Sequence, residues 1–146
     1  MQVRVLGAAA GGGFPQWNCG CPNCRKARSG SRDVAPRTQE CVAVSVDGER
    51  WVLLNASPEI RSQIESFPKL HPRGPRHSPI AGIVLTNGDL DHCLGLLSLR
   101  ESAFAFALAV VVAQPVDPHA AEGWIVGLRE DERVLDRDPR LVVVAI

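Results

Sequence analysis

Net charge is the first thing this 146-residue chain lacks: 16 Lys and Arg balance 16 Asp and Glu. No global field therefore draws it to nucleic acid or to an anionic membrane. It also lacks a long hydrophobic run. The longest, Ala103 to Ala113, falls well short of the roughly 20 residues a membrane helix needs, and it reads as core or sheet edge. The start, Met1-Gln2-Val3-Arg4-Val5-Leu6, has no charged region, apolar stretch and cleavage site of a secretory signal, so a cytoplasmic location is expected. There is no internal repeat and no second C-x-x-C pair. What remains is 45% hydrophobic composition with a pI near 6.9, the profile of an ordinary globular protein able to bury a core.

Against that background the cysteines stand out. Cys19, Cys21 and Cys24 place three thiols in a C-x-C-x-x-C cluster directly after Gly11-Gly12-Gly13-Phe14-Pro15-Gln16-Trp17-Asn18. Three soft donors so close need little help from the fold, and Zn²⁺ favours thiolate and imidazole in a closed tetrahedron. The plainer alternatives are reduced cysteines without metal, or a redox pair. Five cysteines, an odd number, fit metal ligands or free thiols better than a disulfide framework. Cys41, His71, His77 or a water could complete the set, although loop histidines are more often merely solvated.

Val3 to Leu6 reads as a strand running into the Gly/Cys loop. Arg25, Lys26, Arg28, Arg32 and Arg37 form a basic stretch without aromatic interleaving, better explained as a solvated loop or short helix than as a nucleic-acid surface. Cys41 to Val46 and Trp51 to Leu54 flank Asp47-Gly48 and predict a hairpin. Ser57-Pro58-Glu59 predicts a helix start with serine as cap, proline in the first turn and Ile60, Ile64 and Phe67 on one face. Pro68 to Pro79 is a loop, Ile83 to Thr86 a strand, and Leu94 to Arg100 carries helical spacing.

Asp89, Asp91 and His92 fall in the turn between that strand and that helix. Two carboxylates and an imidazole suit iron, manganese or zinc, while the alternative is two helix-capping aspartates beside a packed histidine. Thr86-Asn87-Gly88-Asp89-Leu90-Asp91-His92, with Gly95, resembles the T-H-x-H-x-D-H-x-x-G signature of the metallo-β-lactamase superfamily, with Asn87 and Asp89 in the places of its first two histidines. Together with Gly11 to Cys24, Asn55-Ala56-Ser57-Pro58-Glu59-Ile60-Arg61 and Leu94 to Glu101, the chain is similar over about residues 1–102 to the coenzyme PQQ synthesis protein B family.

The resemblance implies an α/β fold, the metallo-β-lactamase-like αββα sandwich, of which only the N-terminal part is present as a single incomplete domain over residues 1–146. It implies a role in pyrroloquinoline quinone biosynthesis, through Fe²⁺-dependent hydroxylation of a tyrosine-derived, peptide-derived quinone precursor by molecular oxygen. Transport of the quinone or its precursor by a non-catalytic carrier is the older family reading, and a small zinc-binding interaction module is a further alternative. In the oxidative reading Cys19, Cys21 and Cys24 hold structural Zn²⁺, completed by a histidine from the distant C-terminal part. Asp91 and His92 hold the catalytic metal, with Asp89 a ligand or base. Asn87 is a poor ligand for a hydrolytic zinc, which weighs against a two-zinc hydrolase. Ser57 and Glu59 are expected to be helix caps. Residues 103–146 do not match the family on inspection, and the chain stops in the apolar run Leu141 to Ile146. A truncated or frame-shifted member is therefore expected, inactive alone, forming a homodimer or needing its missing C-terminal half.

Overall fold

The computed structural model describes residues 1–99 and the backbone of 107–111 and 141–145. Its frame is one six-stranded sheet in sequence order: β1 (Gln2–Gly7), β2 (Cys41–Ser45), β3 (Trp51–Leu54), β4 (Ile80–Leu85), β5 (Ala107–Val111) and β6 (Leu141–Ala145). The first three strands are antiparallel, β3, β4 and β5 run parallel, and β6 returns antiparallel to β5. The apolar runs at Val3, Cys41, Trp51 and Ile83 thus become strands as their composition predicts. His119, Arg100 and Glu101 lie outside the described residues.

Alternation along the strands sorts side chains onto two faces. Cys41 and Ala43 of β2, Trp51 and Leu53 of β3, and Ile83 and Leu85 of β4 point to one side. There they pack against Ile60, Ile64, Phe67, Leu70, Leu96 and Leu99 as a single core. Trp51 and Phe67 meet edge to face with centroids 5.0 Å apart, a favourable aromatic geometry. The opposite face carries Val3 and Val5, 58% and 57% exposed, in register with Val44 and Val42. Val52 and Leu54 continue this face across β3. An apolar sheet face open to solvent is what one half of a two-sheet sandwich leaves.

The β2–β3 hairpin is present, but its loop is Val46 to Arg50, longer than the Asp47-Gly48 pair alone. The Asp47 carboxylate draws the loop together by accepting from the backbone N–H groups of Arg50 and Glu49 at 2.9 and 2.8 Å, which holds its pKa well below the usual carboxylate range. Gly48 supplies the positive φ of +79° that the turn requires.

Helix α1 is Pro22–Arg28, α2 is Ile60–Glu65, and α3 (Leu90–Cys93) and α4 (Leu96–Leu99) are single turns. Two expectations are corrected here. Helix α2 begins at Ile60, and neither Ser57 nor Glu59 caps it with a side chain. The buried Ser57 hydroxyl donates to Gln63 Oε1 at 3.0 Å, and Glu59 Oε2 accepts from the backbone N–H of Gln39 at 2.7 Å. Tertiary partners win both side chains from the local cap. The second correction concerns Asp91 and His92, which lie within helix α3 and not in the turn before a helix at Leu94. At Gly95 the helical path breaks, its N–H donating to the Ala56 carbonyl at 2.8 Å, and because a Cβ there would sit 2.2 Å from the Ser57 carbonyl oxygen only glycine permits this approach.

Candidate metal centres and the cavity beside them

The long connection from β1 to β2 carries the three thiols. Gly7 ends β1 where a Cβ would meet the Gln39 carbonyl at 1.9 Å, and the chain then turns along residues 37–39. Phe14 and Arg37 exchange backbone hydrogen bonds of 3.0 and 2.7 Å, and Ala9 bridges Gln39. The Phe14–Pro15 peptide is cis. Cys21 then caps α1, its sulfur accepting from the Cys24 backbone N–H at 3.5 Å, with Pro22 in the first turn.

This folding brings the sulfurs of Cys19, Cys21 and Cys24 within 4.8 Å of one another. Cys21 is brought down to about 7 by the Cys24 backbone N–H and by the neighbouring thiols of Cys19 and Cys24. The Gln16 backbone favours thiolate at Cys24, but burial and the adjacent thiols outweigh it and leave that group raised. The basic stretch has a local task. Arg28 donates to the carbonyls of Cys19, Gln16 and Trp17, and Arg25 to that of Gly20, so the cations of α1 hold the thiol loop by its backbone.

No fourth His, Cys, Asp or Glu ligand joins this cluster among the described residues. Three candidates for that role are occupied elsewhere. Cys41 is wholly buried in the core, its thiol donating to the Asn55 carbonyl at 3.3 Å and pushed up to about 12 by burial. His71 lies against Glu65, and His77 Nδ1 accepts from the Arg73 backbone. Three close thiols, one already inclined to thiolate, fit a soft-liking ion such as zinc.

Asp89, Asp91 and His92 form the second cluster, their ligand atoms also within 4.8 Å of one another. Asn87 Oδ1 accepts from the Asp89 backbone N–H at 2.9 Å, which occupies the amide oxygen in shaping the turn. His92 is anchored through its carbonyl, which accepts from Ala56 N–H at 2.7 Å. Its ring is held by a residue that sequence reasoning missed: Nε2 lies 3.0 Å from Glu40 Oε2. Glu40 accepts in turn from Asn55 Nδ2 at 3.2 Å, and Asn55 Oδ1 accepts from the Thr86 backbone N–H and hydroxyl at 2.9 and 3.0 Å. Asn55 adopts φ +66°, a left-handed conformation that asparagine tolerates better than most residues.

With Nε2 engaged, His92 Nδ1 is buried without a hydrogen-bond partner, 3.6 Å from Asp91 Oδ1. A buried, unpartnered ring nitrogen beside a carboxylate is costly unless something electron-deficient joins it. The donor set of one imidazole and two carboxylates therefore fits a divalent metal. Cys93, next in sequence, has its thiol raised by burial and by Asp89 and Asp91, and it donates weakly to the Gly88 carbonyl.

A cavity of about 560 Å³ is lined by residues 11–15, Trp17, 36–39, Pro58 and Glu59. Gly11 joins cavity to cluster, since a Cβ on it would stand 3.2 Å from Asp91 Oδ2. No helix among the described residues is long and apolar enough to cross a membrane.

Comparison with known proteins places these features. Residues 50–142 match the family model described as the beta-lactamase superfamily domain. A relative from Methylobacterium sp. strain 4-46, named coenzyme PQQ synthesis protein B, is 63% identical over 103 residues, covering 70% of this chain and 34% of its own length. A protein of the same name from Methylorubrum extorquens is 53% identical over 137 residues, covering 93% of this chain and 42% of its own length. The crystal structure of Zn²⁺-bound PqqB from Methylobacterium extorquens superimposes with a TM-score of 0.67 at 63% identity, over 69% of this chain and 34% of that one. The chain thus spans about a third to two-fifths of the length of these curated relatives.

Proposed function

The chain belongs to the beta-lactamase superfamily and within it resembles coenzyme PQQ synthesis protein B, and from this premise we propose that it serves biosynthesis of pyrroloquinoline quinone as part of an oxygen-using hydroxylase of the quinone precursor. The observation that carries the oxidative reading is the pairing of Asp91 with the unpartnered Nδ1 of His92, in a cluster where Asn87 and Asp89 replace two histidines of the hydrolytic signature. A histidine-poor, carboxylate-rich set suits one redox-active iron better than the two-zinc bridge of a hydrolase.

In this reading Asp91 and His92 hold the iron, Asp89 is a further ligand or a base, and the sulfurs of Cys19, Cys21 and Cys24 hold zinc away from the chemistry. Iron held there supplies the one-electron chemistry that lets ground-state oxygen react. This chain's own residues orient the histidine. Glu40 takes the Nε2 proton of His92 in a hydrogen bond and so leaves Nδ1 as the free donor. Asn55 keeps Glu40 in place. The overall change puts one oxygen atom into an aromatic C–H bond and reduces the other to water, with two electrons from a small-molecule reductant. The remaining ligands, the precursor partner and a cytoplasmic setting are part of the same proposal, as is zinc, the ion bound in the similar crystal structure of PqqB.

The test uses the full-length Methylorubrum extorquens relative with ascorbate as reductant and a peptide-derived tyrosine precursor. Iron-loaded protein is expected to consume oxygen, zinc-loaded protein is not, and the variant in which the histidine matching His92 becomes alanine loses both iron and turnover. Full turnover in that variant, or without iron, would overturn the reading.

A further inference from the structure

We infer that Cys21 and Cys24 are a redox pair, which hydrogen peroxide joins in a disulfide that leaves Cys19 as a lone thiol and so closes the cluster to a metal ion. The bond itself stands on the geometry of the first turn of α1. Only its competition with metal rests on the zinc reading proposed above.

The three sulfurs lie within 4.8 Å of one another, but they differ in what can reach them. Cys21 is exposed, Cys19 half-buried and Cys24 only 3% exposed. A dissolved oxidant therefore meets Cys21 first, while Cys24 is screened both from the oxidant and from the thiols of other molecules. Cys24 can react only with what stands beside it. Residues three apart share a helix face, and Cys21 caps the turn on which Cys24 is the third residue. The Cys21 sulfur already lies over that turn, accepting from the Cys24 backbone N–H at 3.5 Å. Cys19 sits on the turn before, where its N–H donates to the Gln16 carbonyl at 3.0 Å. Cys41 and Cys93 belong to neither turn: the first is wholly buried in the core and the second donates to the Gly88 carbonyl.

The hold on the loop does not depend on sulfur. Arg28 donates to the carbonyls of Cys19, Gln16 and Trp17, and Arg25 to that of Gly20, so the thiols stay gathered when no metal joins them. The Cys21 thiolate attacks one oxygen of the peroxide and the O–O bond breaks. Cys21 becomes a sulfenic acid, and the departing hydroxide takes a proton and leaves as water. The Cys24 sulfur then attacks the Cys21 sulfur, forming the S–S bond and displacing hydroxide, which leaves as a second water with the Cys24 thiol proton. Two thiols have lost two electrons and one peroxide has gained them. Two of three soft donors are consumed, and a single thiol does not hold zinc.

The test treats the metal-free 146-residue chain, cleared of reductant, with one equivalent of hydrogen peroxide and counts thiols by maleimide labelling in denaturant. Two of the five thiols are expected to disappear and to return with dithiothreitol, both in the peptide that carries the cluster. Cys19→Ser should keep this loss. Cys21→Ser should slow it by roughly tenfold or more, and Cys24→Ser should slow bond formation similarly while a sulfenic acid accumulates that dimedone traps. The count on the parent chain needs no variant, and near-ultraviolet dichroism of the buried Trp51 checks that each variant is folded. One equivalent of zinc added first should slow the reaction, and peroxide added to zinc-loaded chain should release zinc to a chromophoric indicator as thiols are lost. A bond that forms equally fast with zinc present overturns the competition and the zinc reading with it, and leaves the pair supported. Five thiols surviving excess peroxide, a bond that includes Cys41 or Cys93, covalent dimers in place of the internal bond, or an unchanged rate in Cys24→Ser would overturn the pair.

Discussion

Glu40 and His92, 52 positions apart in sequence, meet at 3.0 Å between Oε2 and Nε2, and the contact decides which nitrogen of the ring stays free. Glu40→Gln keeps the shape but weakens the acceptor. Partners of this kind commonly govern metal affinity by about 10- to 100-fold. The variant is expected to lose iron affinity by roughly tenfold, measured by competition with a chromophoric chelator, with the metal-free melting temperature little changed. Unchanged affinity would show that His92 orients itself without help.

Asn55→Ala should be more damaging to the fold. It removes the acceptor for the Thr86 backbone and one donor to Glu40, and it places alanine at φ +66°. Thr86 and Glu40 are exposed and can turn to water, so each lost bond costs about 0.5–1.5 kcal/mol, and the left-handed backbone roughly 1–2 kcal/mol more. Urea unfolding should show a loss of several kcal/mol, partly restored in Asn55→Gly, which accepts the backbone conformation but not the bonds.

Gly95→Ala presses a methyl group on the carbonyls of Ser57 and Ala56, which are backbone and cannot rotate away. Overpacking usually costs about 1–3 kcal/mol. Because Gly95 N–H donates to the Ala56 carbonyl and Ala56 N–H to the His92 carbonyl, the strain reaches His92, the proposed ligand. Thermal stability and metal affinity are both expected to fall. A drop in stability alone would show that the two are uncoupled.

Cys21 should be the first cysteine alkylated in metal-free protein. Its thiolate is the reactive species, so the iodoacetamide rate rises as pH passes upward through about 7. Zinc should protect it, and Cys21→Ser should lower zinc content and melting temperature together. Peptide mapping that finds Cys41 labelled first would contradict the assignment.

The same Cys41 sets an alkaline limit. Burial raises its folded-state pKa to about 12 from an ordinary thiol value of 9.0, so the stabilisation of the neutral thiol is complete below pH 9 and is lost as pH rises towards 12. Cys41→Ala should lose less melting temperature across that interval than the parent chain.

Much of this was legible in the sequence because it is local. The thiol spacing, the β-branched runs and the Asp47-Gly48 turn each act over a few residues, and each appears in the structure. Asp89, Asp91 and His92 were recognised as a group for the same reason. Glu40 was not, because nothing near it in sequence marks it; the pairing of β2 with β3 and of β3 with β4 carries it to His92. Ser57 misled for the opposite reason. Its local pattern is that of a cap, but Gln63 and the buried setting supply a stronger partner. Asn55 offered one usable signal, an asparagine directly after a strand, where a left-handed residue is common. Arg28 offered none, since its carbonyl partners depend on the path of the thiol loop.

The switch from antiparallel to parallel pairing between β3 and β4 has a consequence for the order of assembly. The β2–β3 hairpin closes through a short loop, an event of microseconds, whereas β4 can join β3 only after the whole crossover from Asn55 to Pro79 has been drawn across the sheet. The thiols, neighbours in sequence, can gather before that happens. The carboxylate and imidazole donors cannot meet Glu40 until it has. If both clusters take metal as proposed, metal present while the chain is still folding encounters the sulfur cluster first, so a thiol-seeking ion is favoured early and the oxygen-and-nitrogen cluster is open only to metal that meets the finished fold.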